Sequence, residues 1–107
     1  MKDLPQFLYT LKPTRAGMVV DGPTEQEAQV LAQHFAHLTA LADGGTVILF
    51  GRTQNNDETT FGLVIFEAAS ADAARDIMSG DPAVEHGLMQ ATLFPYKVSG
   101  MREKMVE

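Results

Sequence analysis

Two histidines three residues apart are the first side chains of this sequence that could do chemistry. His34 and His37 lie in the segment AQHFAHLTALADGG, whose other residues are typical of a helix that packs against a core. Residues three apart share one flank of a helix, so the two imidazoles should be neighbours. Imidazole titrates near neutral pH, binds metals and also packs at the edge of cores. Three interpretations are therefore open: packing, metal binding, or one half of an acid/base pair.

The other functional groups of the chain limit the chemistry it could perform. No cysteine is present, which excludes disulfides, thiolate nucleophiles and cysteine-ligated zinc. A zinc site needs further ligands at a definite geometry, and the distant His86 is a loose match, so we expect neither a metal nor a cofactor. No serine stands in a nucleophile-elbow motif, and Ser70 and Ser79 fit helix ends better.

Size and charge restrict the class of protein and its partners. The chain has 107 residues, enough for one domain over residues 1–107, and 14 acidic against 8 basic side chains give a net charge of −6. That charge disfavours nucleic acid as a partner, because nonspecific binding to phosphates requires cations. No apolar run approaches the roughly 20 residues that cross a bilayer. The amino terminus lacks a secretion signal, so we expect a cytoplasmic protein without a membrane partner.

The first half of the chain predicts a strand followed by a long helix. Residues 6–12 alternate apolar side chains as a strand does. After a loop that contains two glycines, Thr24 and Glu27 form the T-x-x-E capping box that begins a helix, which should run over residues 25–42. At 100° per residue, the apolar stripe of this helix is predicted to consist of Ala28, Leu31, Phe35, Leu38 and Ala42. The two histidines lie on one flank of that stripe.

The second half predicts two strands, a short helix and a last strand. Residues 46–52 and 60–68 are rich in β-branched and aromatic side chains and should pair antiparallel. Ser70 should cap a short alanine-rich helix, and a Gly-Asp-Pro turn follows it. The last strand should cover residues 87–98, where Pro95 favours an edge position. The order β-α-β-β-α-β is the ferredoxin-like plan, an α+β fold with a core at residues 6–98 and a polar tail at 99–107.

The predicted sheet has one face that the helices do not cover. Four antiparallel strands at about 4.8 Å spacing form a sheet roughly 20 Å wide, and two helices cover only one face of it. The central strands contain VILF and LVIF without polar alternation, so both of their faces are apolar. An apolar face of this size usually marks an interface. We therefore expect a homodimer through the open sheet face.

Several short motifs, taken together, resemble those of a known family. These are His37-Leu38 in the first helix, the Asp81-Pro82 turn, the glycine that opens the last strand, and FPYKV near its end. In order and spacing they resemble the YciI-like (YCII-related) domain family over about residues 6–98. The resemblance implies a dimeric α+β barrel of ferredoxin-like subunits.

The resemblance also implies a catalytic pair. Family members are proposed to use a histidine and an aspartate in a pocket, and the matching positions here are His37 and Asp81. A carboxylate that binds one imidazole nitrogen would fix the tautomer, which leaves the other nitrogen to exchange a proton. An aspartate before a proline is also a frequent turn residue, and this interpretation stays open.

The substrate-binding residues are less well defined. The family commonly has an arginine three residues before the helix histidine, where this chain has His34. His34 would replace that charge only when protonated, so Arg52 or Arg15 could instead hold an anionic group. His86, next to the glycine of the last strand, is a fourth candidate.

Two functions from different classes follow. The first is a small cofactor-independent enzyme that uses a His-Asp pair for acid/base chemistry of the lyase, dehydrochlorinase or isomerase type on a small polar or carboxylate-bearing molecule. The second is a non-catalytic dimeric module that binds a small ligand. A monooxygenase-type barrel is the least favoured, because the chain has no tryptophan and few aromatic residues near the histidines.

Overall fold

The computed structural model describes residues 4–102, and residues 103–107 of the predicted polar tail lie outside this range. The elements in chain order are β1 (Gln6–Pro13), α1 (Gly17–Val20), α2 (Glu25–Asp43), β2 (Val47–Arg52), β3 (Gly62–Glu67), α3 (Ala71–Ser79), α4 (Pro82–Glu85) and β4 (Met89–Tyr96).

The four strands form one antiparallel sheet in the order β2-β3-β1-β4. This is the ferredoxin-like α+β arrangement that the sequence predicts. The predicted pairing of the second and third strands is confirmed, with Phe50 opposite Val64 and Arg52 opposite Gly62. β4 is an edge strand, so Pro95 occupies the edge position expected of it.

Two one-turn helices lie where the sequence predicts only loops. α1 follows β1, and α4 replaces the simple Gly-Asp-Pro turn. Asp81 is the N-cap of α4 and Pro82 its first residue, a position that proline tolerates because its missing N–H would have no partner there. Helices of four residues show no apolar periodicity, which is why the pattern does not reveal them.

The predicted starts of the two longer helices are confirmed. The Thr24 side chain accepts a hydrogen bond from the Glu27 backbone N–H at 3.1 Å, and the Glu27 carboxylate accepts one from the Thr24 N–H at 2.9 Å. Ser70 caps α3 by accepting from the Ala73 N–H at 3.1 Å. Capping satisfies backbone N–H groups that have no partner within the helix.

The core lies between the helices and one face of the sheet. Its fully buried large side chains include Tyr9 and Phe66, whose rings meet edge to face at 5.6 Å, and Leu38 of α2. The opposite face carries apolar residues that no described helix covers. Leu49 is 36% and Phe94 46% exposed there.

The predicted apolar stripe of α2 is wrong at its centre. Phe35 is 63% exposed, whereas Leu38 is buried and His34 and Leu41 are half-buried. At 100° per residue, the inward face of α2 is thus centred roughly 50° away from Leu31, toward the histidine flank. This rotation directs His34 inward and leaves His37 nearer the edge of the packed face.

Among the helices of the described residues, none combines the length and apolar character that crossing a membrane demands.

Candidate active site

Asp81 is the centre of the site and is completely shielded from solvent. As the N-cap of α4, its Oδ1 accepts a hydrogen bond from the Ala83 backbone N–H at 3.0 Å. The turn chemistry that Asp-Pro predicts is therefore present. It accounts for only one of the hydrogen bonds that this carboxylate makes.

Two side chains from distant parts of the sequence complete the surroundings of Asp81. His34 of α2 places Nδ1 2.6 Å from Asp81 Oδ1. Tyr9 of β1 donates its hydroxyl to Asp81 Oδ2 at 2.7 Å. The Tyr9–Asp81–His34 network thus joins a strand of the sheet, the long helix and a one-turn helix. No buried polar side-chain atom among residues 4–102 lacks a hydrogen-bond partner.

The hydrogen bonds of the network keep Asp81 ionised. Burial alone would raise the pKa of this carboxyl, because removal from water disfavours the charged form. The hydrogen bonds from His34, Tyr9 and the Ala83 N–H, together with the charge that His34 carries when it is protonated, outweigh burial, and the pKa lies below its usual value. Burial, then the charge of Asp81 and the hydrogen bond to it, raises the pKa of Tyr9, which therefore stays a neutral donor.

An ionised Asp81 determines the tautomer of His34. A carboxylate only accepts hydrogen bonds, so Nδ1 of His34 must carry a proton. In the neutral imidazole Nε2 is then unprotonated and is the nitrogen left for a ligand. This arrangement of a buried carboxylate behind an imidazole suits a general base.

His34 lines a cavity of about 370 Å³. The cavity lies between α1, α2 and the sheet, and its wall is mostly aliphatic, aromatic and methionine side chains. Three polar or charged side chains line it: His34, Arg52 and Thr60. Pockets of this kind, apolar with a few polar groups, are the usual form of small-molecule sites.

The histidine beside Asp81 is His34 and not His37, which corrects the predicted pairing. The His37 side chain is half-buried, and its imidazole makes no hydrogen bond within residues 4–102. Three residues of helix move a side chain by about 4.5 Å along the axis and about 60° around it, so only one of the two imidazoles reaches the carboxylate. A catalytic role for either one stays a prediction.

The other candidate residues are dispersed. The Arg15 guanidinium binds Glu27 through two hydrogen bonds of 2.6 and 2.8 Å, and Arg15 does not line the cavity. Arg52 does line it. His86 ends α4 with half of its side chain exposed, at 3.9 Å from Glu85 and apart from the cavity.

Tyr9 is the site residue that the sequence did not reveal. Its place in an apolar strand predicted only a core side chain, and nothing local pointed to a partner 72 residues away. A buried tyrosine does need a partner for its hydroxyl, and this requirement was the available signal. Within residues 4–102, no group of three or more His, Asp or Glu side chains is placed to hold a metal ion.

Comparison with known proteins agrees with the fold. The family model of the YCII-related domain matches residues 6–96. The structure resembles 5-chloro-2-hydroxyhydroquinone dehydrochlorinase (TftG) from Burkholderia phenoliruptrix AC1100, solved with 2,5-dihydroxybenzoquinone, at 23% identity over 86% of this chain and 93% of that one, with a TM-score of 0.64. SnoaB of Streptomyces nogalater, a cofactor-independent oxygenase, covers 96% of this chain and 100% of its own at 12% identity, with a TM-score of 0.48. No curated protein matches the sequence.

Proposed function

We propose that this chain, which belongs to the YCII-related domain family, is a small enzyme that performs acid/base chemistry with the His34–Asp81 pair. The observation that carries the proposal is the contact of 2.6 Å between His34 Nδ1 and a carboxylate that is wholly buried. A buried charge is costly, and three hydrogen-bond donors are arranged around this one. Perturbed ionisable groups beside a cavity are typical of catalytic sites.

In the proposed mechanism His34 is the general base and Asp81 its positioning residue. Nε2 of neutral His34 removes a proton from a carbon or oxygen of the substrate, and Asp81 stabilises the imidazolium that forms. The same nitrogen then returns the proton, either to another atom of the substrate or to a leaving group. Apolar walls favour this step, because electrostatic interactions strengthen where water is excluded.

The reaction class we propose is elimination or isomerisation. Both begin with removal of a proton and need a positioned base but no redox group. TftG is a dehydrochlorinase by name, and loss of HCl from a substrate likewise includes removal of a proton. At 23% identity that comparison supports the fold, and the reaction class enters as part of our proposal.

We also propose that the active form is a homodimer joined through the open sheet face. Leu8 of β1 lies opposite Ile65 of β3 and Phe94 of β4, so these side chains share that face. With Leu49 of β2 they form an apolar band across all four strands. Single proteins rarely leave such a band in water.

The proposed catalysis is tested by deuterium exchange into a panel of small carbon acids in D₂O, followed by NMR. This assay detects proton removal without knowledge of the product. Exchange with the wild type should fall by about 10²-fold or more in His34→Gln and in Asp81→Asn, the usual contribution of a general base. His37→Gln is the matched control and should retain the wild-type rate.

Two results would count against this assignment. Loss of exchange in His37→Gln with retention in His34→Gln would make His37 the base. Absence of exchange with every compound that binds would favour the non-catalytic binding module.

A further inference from the structure

We infer that the cavity beside His34 takes a flat aromatic molecule that carries one anionic group, and that Arg52 binds that group. The inference names the substrate class of the proposed enzyme. From that proposal it takes only the location of the site. It narrows the small polar or carboxylate-bearing molecule that the sequence favours to an aromatic one. Three features support it: the apolar and aromatic lining of the cavity, the absence of a carboxylate partner for Arg52 within residues 4–102, and the position of Gly62 next to Arg52.

The wall is unsuited to a strongly polar ligand. Beside the three polar or charged side chains, the cavity is lined by Phe35, Phe50, Phe61 and by aliphatic and methionine residues. A sugar or a short polyol would lose its bonds to water there without finding partners, which costs free energy for every unpaired group. Aromatic rings pack well against aromatic edges and methionine sulfur.

An aromatic pair stands at the rim of the cavity. Phe35 and Phe50 meet edge to face with centroids 5.6 Å apart, and both line the cavity. Phe35 is nevertheless 63% exposed to water. A ring bound against this pair would bury part of that apolar surface.

Arg52 is the cation of the cavity, and its charge is not neutralised by a carboxylate among residues 4–102. Its single hydrogen bond there is a long one of 3.4 Å to Asn56 Oδ1. Arg15, by contrast, is held by Glu27 at 2.6 Å. No acidic residue in the described range 4–102 lines the cavity, although the chain has a net charge of −6. The cavity is therefore a local site for an anion, and guanidinium is suited to a carboxylate or a phenolate.

The sheet sets the span between Arg52 and Tyr9, the residue that binds the carboxylate behind His34. Tyr9, Val64 and Phe50 are opposite one another across three strands, and Leu11, Gly62 and Arg52 are the row two residues further on. With about 3.4 Å per residue and 4.8 Å between strands, the backbones of Tyr9 and Arg52 are about 12 Å apart. A molecule of one or two rings, together with the side chains, fills such a span.

Gly62 lines the cavity next to Arg52 and has no side chain. It stands between Leu11 and Arg52 in that row, and a Cβ there would lie 3.2 Å from the Gly51 carbonyl oxygen and 3.7 Å from Leu11 Cβ. Because Gly62 has no side chain, a flat ring can lie against its backbone in the row that contains Arg52.

Three probes of one carbon skeleton test the inference by NMR titration of the full chain. These are 2-naphthoate, its neutral analogue 2-naphthamide, and the saturated decahydro-2-naphthoate. We expect 2-naphthoate to bind about tenfold more tightly than either of the others, the factor given by loss of one charge-assisted hydrogen bond or of ring packing. Equal affinity for 2-naphthoate and 2-naphthamide would refute the claim that the ligand carries an anionic group. Equal affinity for 2-naphthoate and the saturated acid would refute the claim that it is aromatic.

Variants of Arg52 test whether this residue binds the anionic group of the ligand. Arg52→Gln should lower the affinity for 2-naphthoate to that for 2-naphthamide and leave the amide unchanged, while Arg52→Lys should retain part of the preference for the acid. Arg75→Gln, on the exposed side of α3, is the matched control and should bind as the wild type does. Wild-type affinity for 2-naphthoate in Arg52→Gln would refute the role of Arg52.

The outcome of the binding experiments can be distinguished from the outcome of the test for catalysis. Binding of 2-naphthoate through Arg52 does not require His34 to act as a base, so His34→Gln should still prefer the acid to the amide. Selective binding without deuterium exchange would uphold the ligand class and reject the enzyme. Exchange with non-aromatic carbon acids alone would reject the ligand class and uphold the enzyme.

Discussion

At the scale of residues, a single buried carboxylate organises the polar side chains of the candidate site. Asp81 accepts hydrogen bonds from Tyr9, His34 and Ala83. The three donors compensate for the cost of burying its charge and leave it ionised. Tyr9 and His34 are in turn oriented by the carboxylate, so the network is a joint arrangement in which each member fixes the others.

The lowered pKa of Asp81 predicts a dependence of stability on pH. A carboxyl whose pKa is lower in the folded state stabilises the fold at pH values above its unfolded pKa, about 3.9, and this contribution is lost as the pH falls through the lowered folded value. In urea titrations at neutral pH, Asp81→Asn should reduce the free energy of unfolding by about 2 to 4 kcal/mol, the range for disruption of a buried charged hydrogen-bond network.

The difference between wild type and Asp81→Asn should then shrink as the pH is lowered from 4 toward 2. Asp76→Asn, an exposed change on α3, controls for the general effect of one charge fewer. A difference that stays constant down to pH 2 would show that Asp81 does not titrate as the pKa direction requires.

At the scale of elements, the start of α2 determines where His34 lies. Thr24 and Glu27 fix the first turn, and Arg15 binds Glu27 from the segment after β1. The Arg15 hydrogen bond, followed by the Thr24 N–H, lowers the pKa of Glu27 to about 2. The capping box and the ion pair therefore act on the same turn, which lies about two and a half helical turns before His34.

Removal of the Thr24 cap should weaken this element. Thr24→Ala leaves the Glu27 N–H without its side-chain acceptor, and such changes cost about 1 kcal/mol. The free energy of unfolding from urea titration measures the loss. Ser99→Ala, an exposed change outside the helices and strands, should be close to neutral, and an equal effect of both variants would contradict the role of the cap.

At the scale of the whole molecule, the two faces of the sheet differ in what they contact. One face, with Tyr9, packs on the helices and lies under the site, while the other carries the apolar band of Leu8, Leu49, Ile65 and Phe94. The proposed catalytic pair of His34 and Asp81 contains no residue of that second face. The proposed dimer would therefore cover the band without displacing the Asp81 network.

Charge placed on the apolar band should separate the proposed dimer. Leu49→Glu and Phe94→Glu introduce carboxylates at positions that are 36% and 46% exposed in the single chain, so each chain should still fold. Sedimentation velocity at micromolar concentration should find the wild type at twice the mass of the chain and the double variant at the mass of one chain. Val20→Glu on α1, also exposed, is a control that should stay dimeric, and a monomeric wild type would reject the dimer.

The sequence by itself determined the fold class, because its signals are local. Alternation in residues 6–12, the capping box of Thr24 and Glu27, and the edge proline Pro95 each follow from the chemistry of a few neighbouring residues, and the structure has each where the pattern predicts it. The turn chemistry of Asp81 before Pro82 is local in the same sense.

Only the tertiary structure decided which histidine meets Asp81. His34 and His37 are both on one flank of α2, and the sequence does not fix the rotation of a helix about its axis to better than the width of its apolar stripe. Packing against the sheet turned that face toward His34 and left Phe35 exposed. The hydrogen bond of Tyr9 was hidden for the same reason, because a contact across 72 residues depends on how β1 and α4 are brought together and on nothing near either residue.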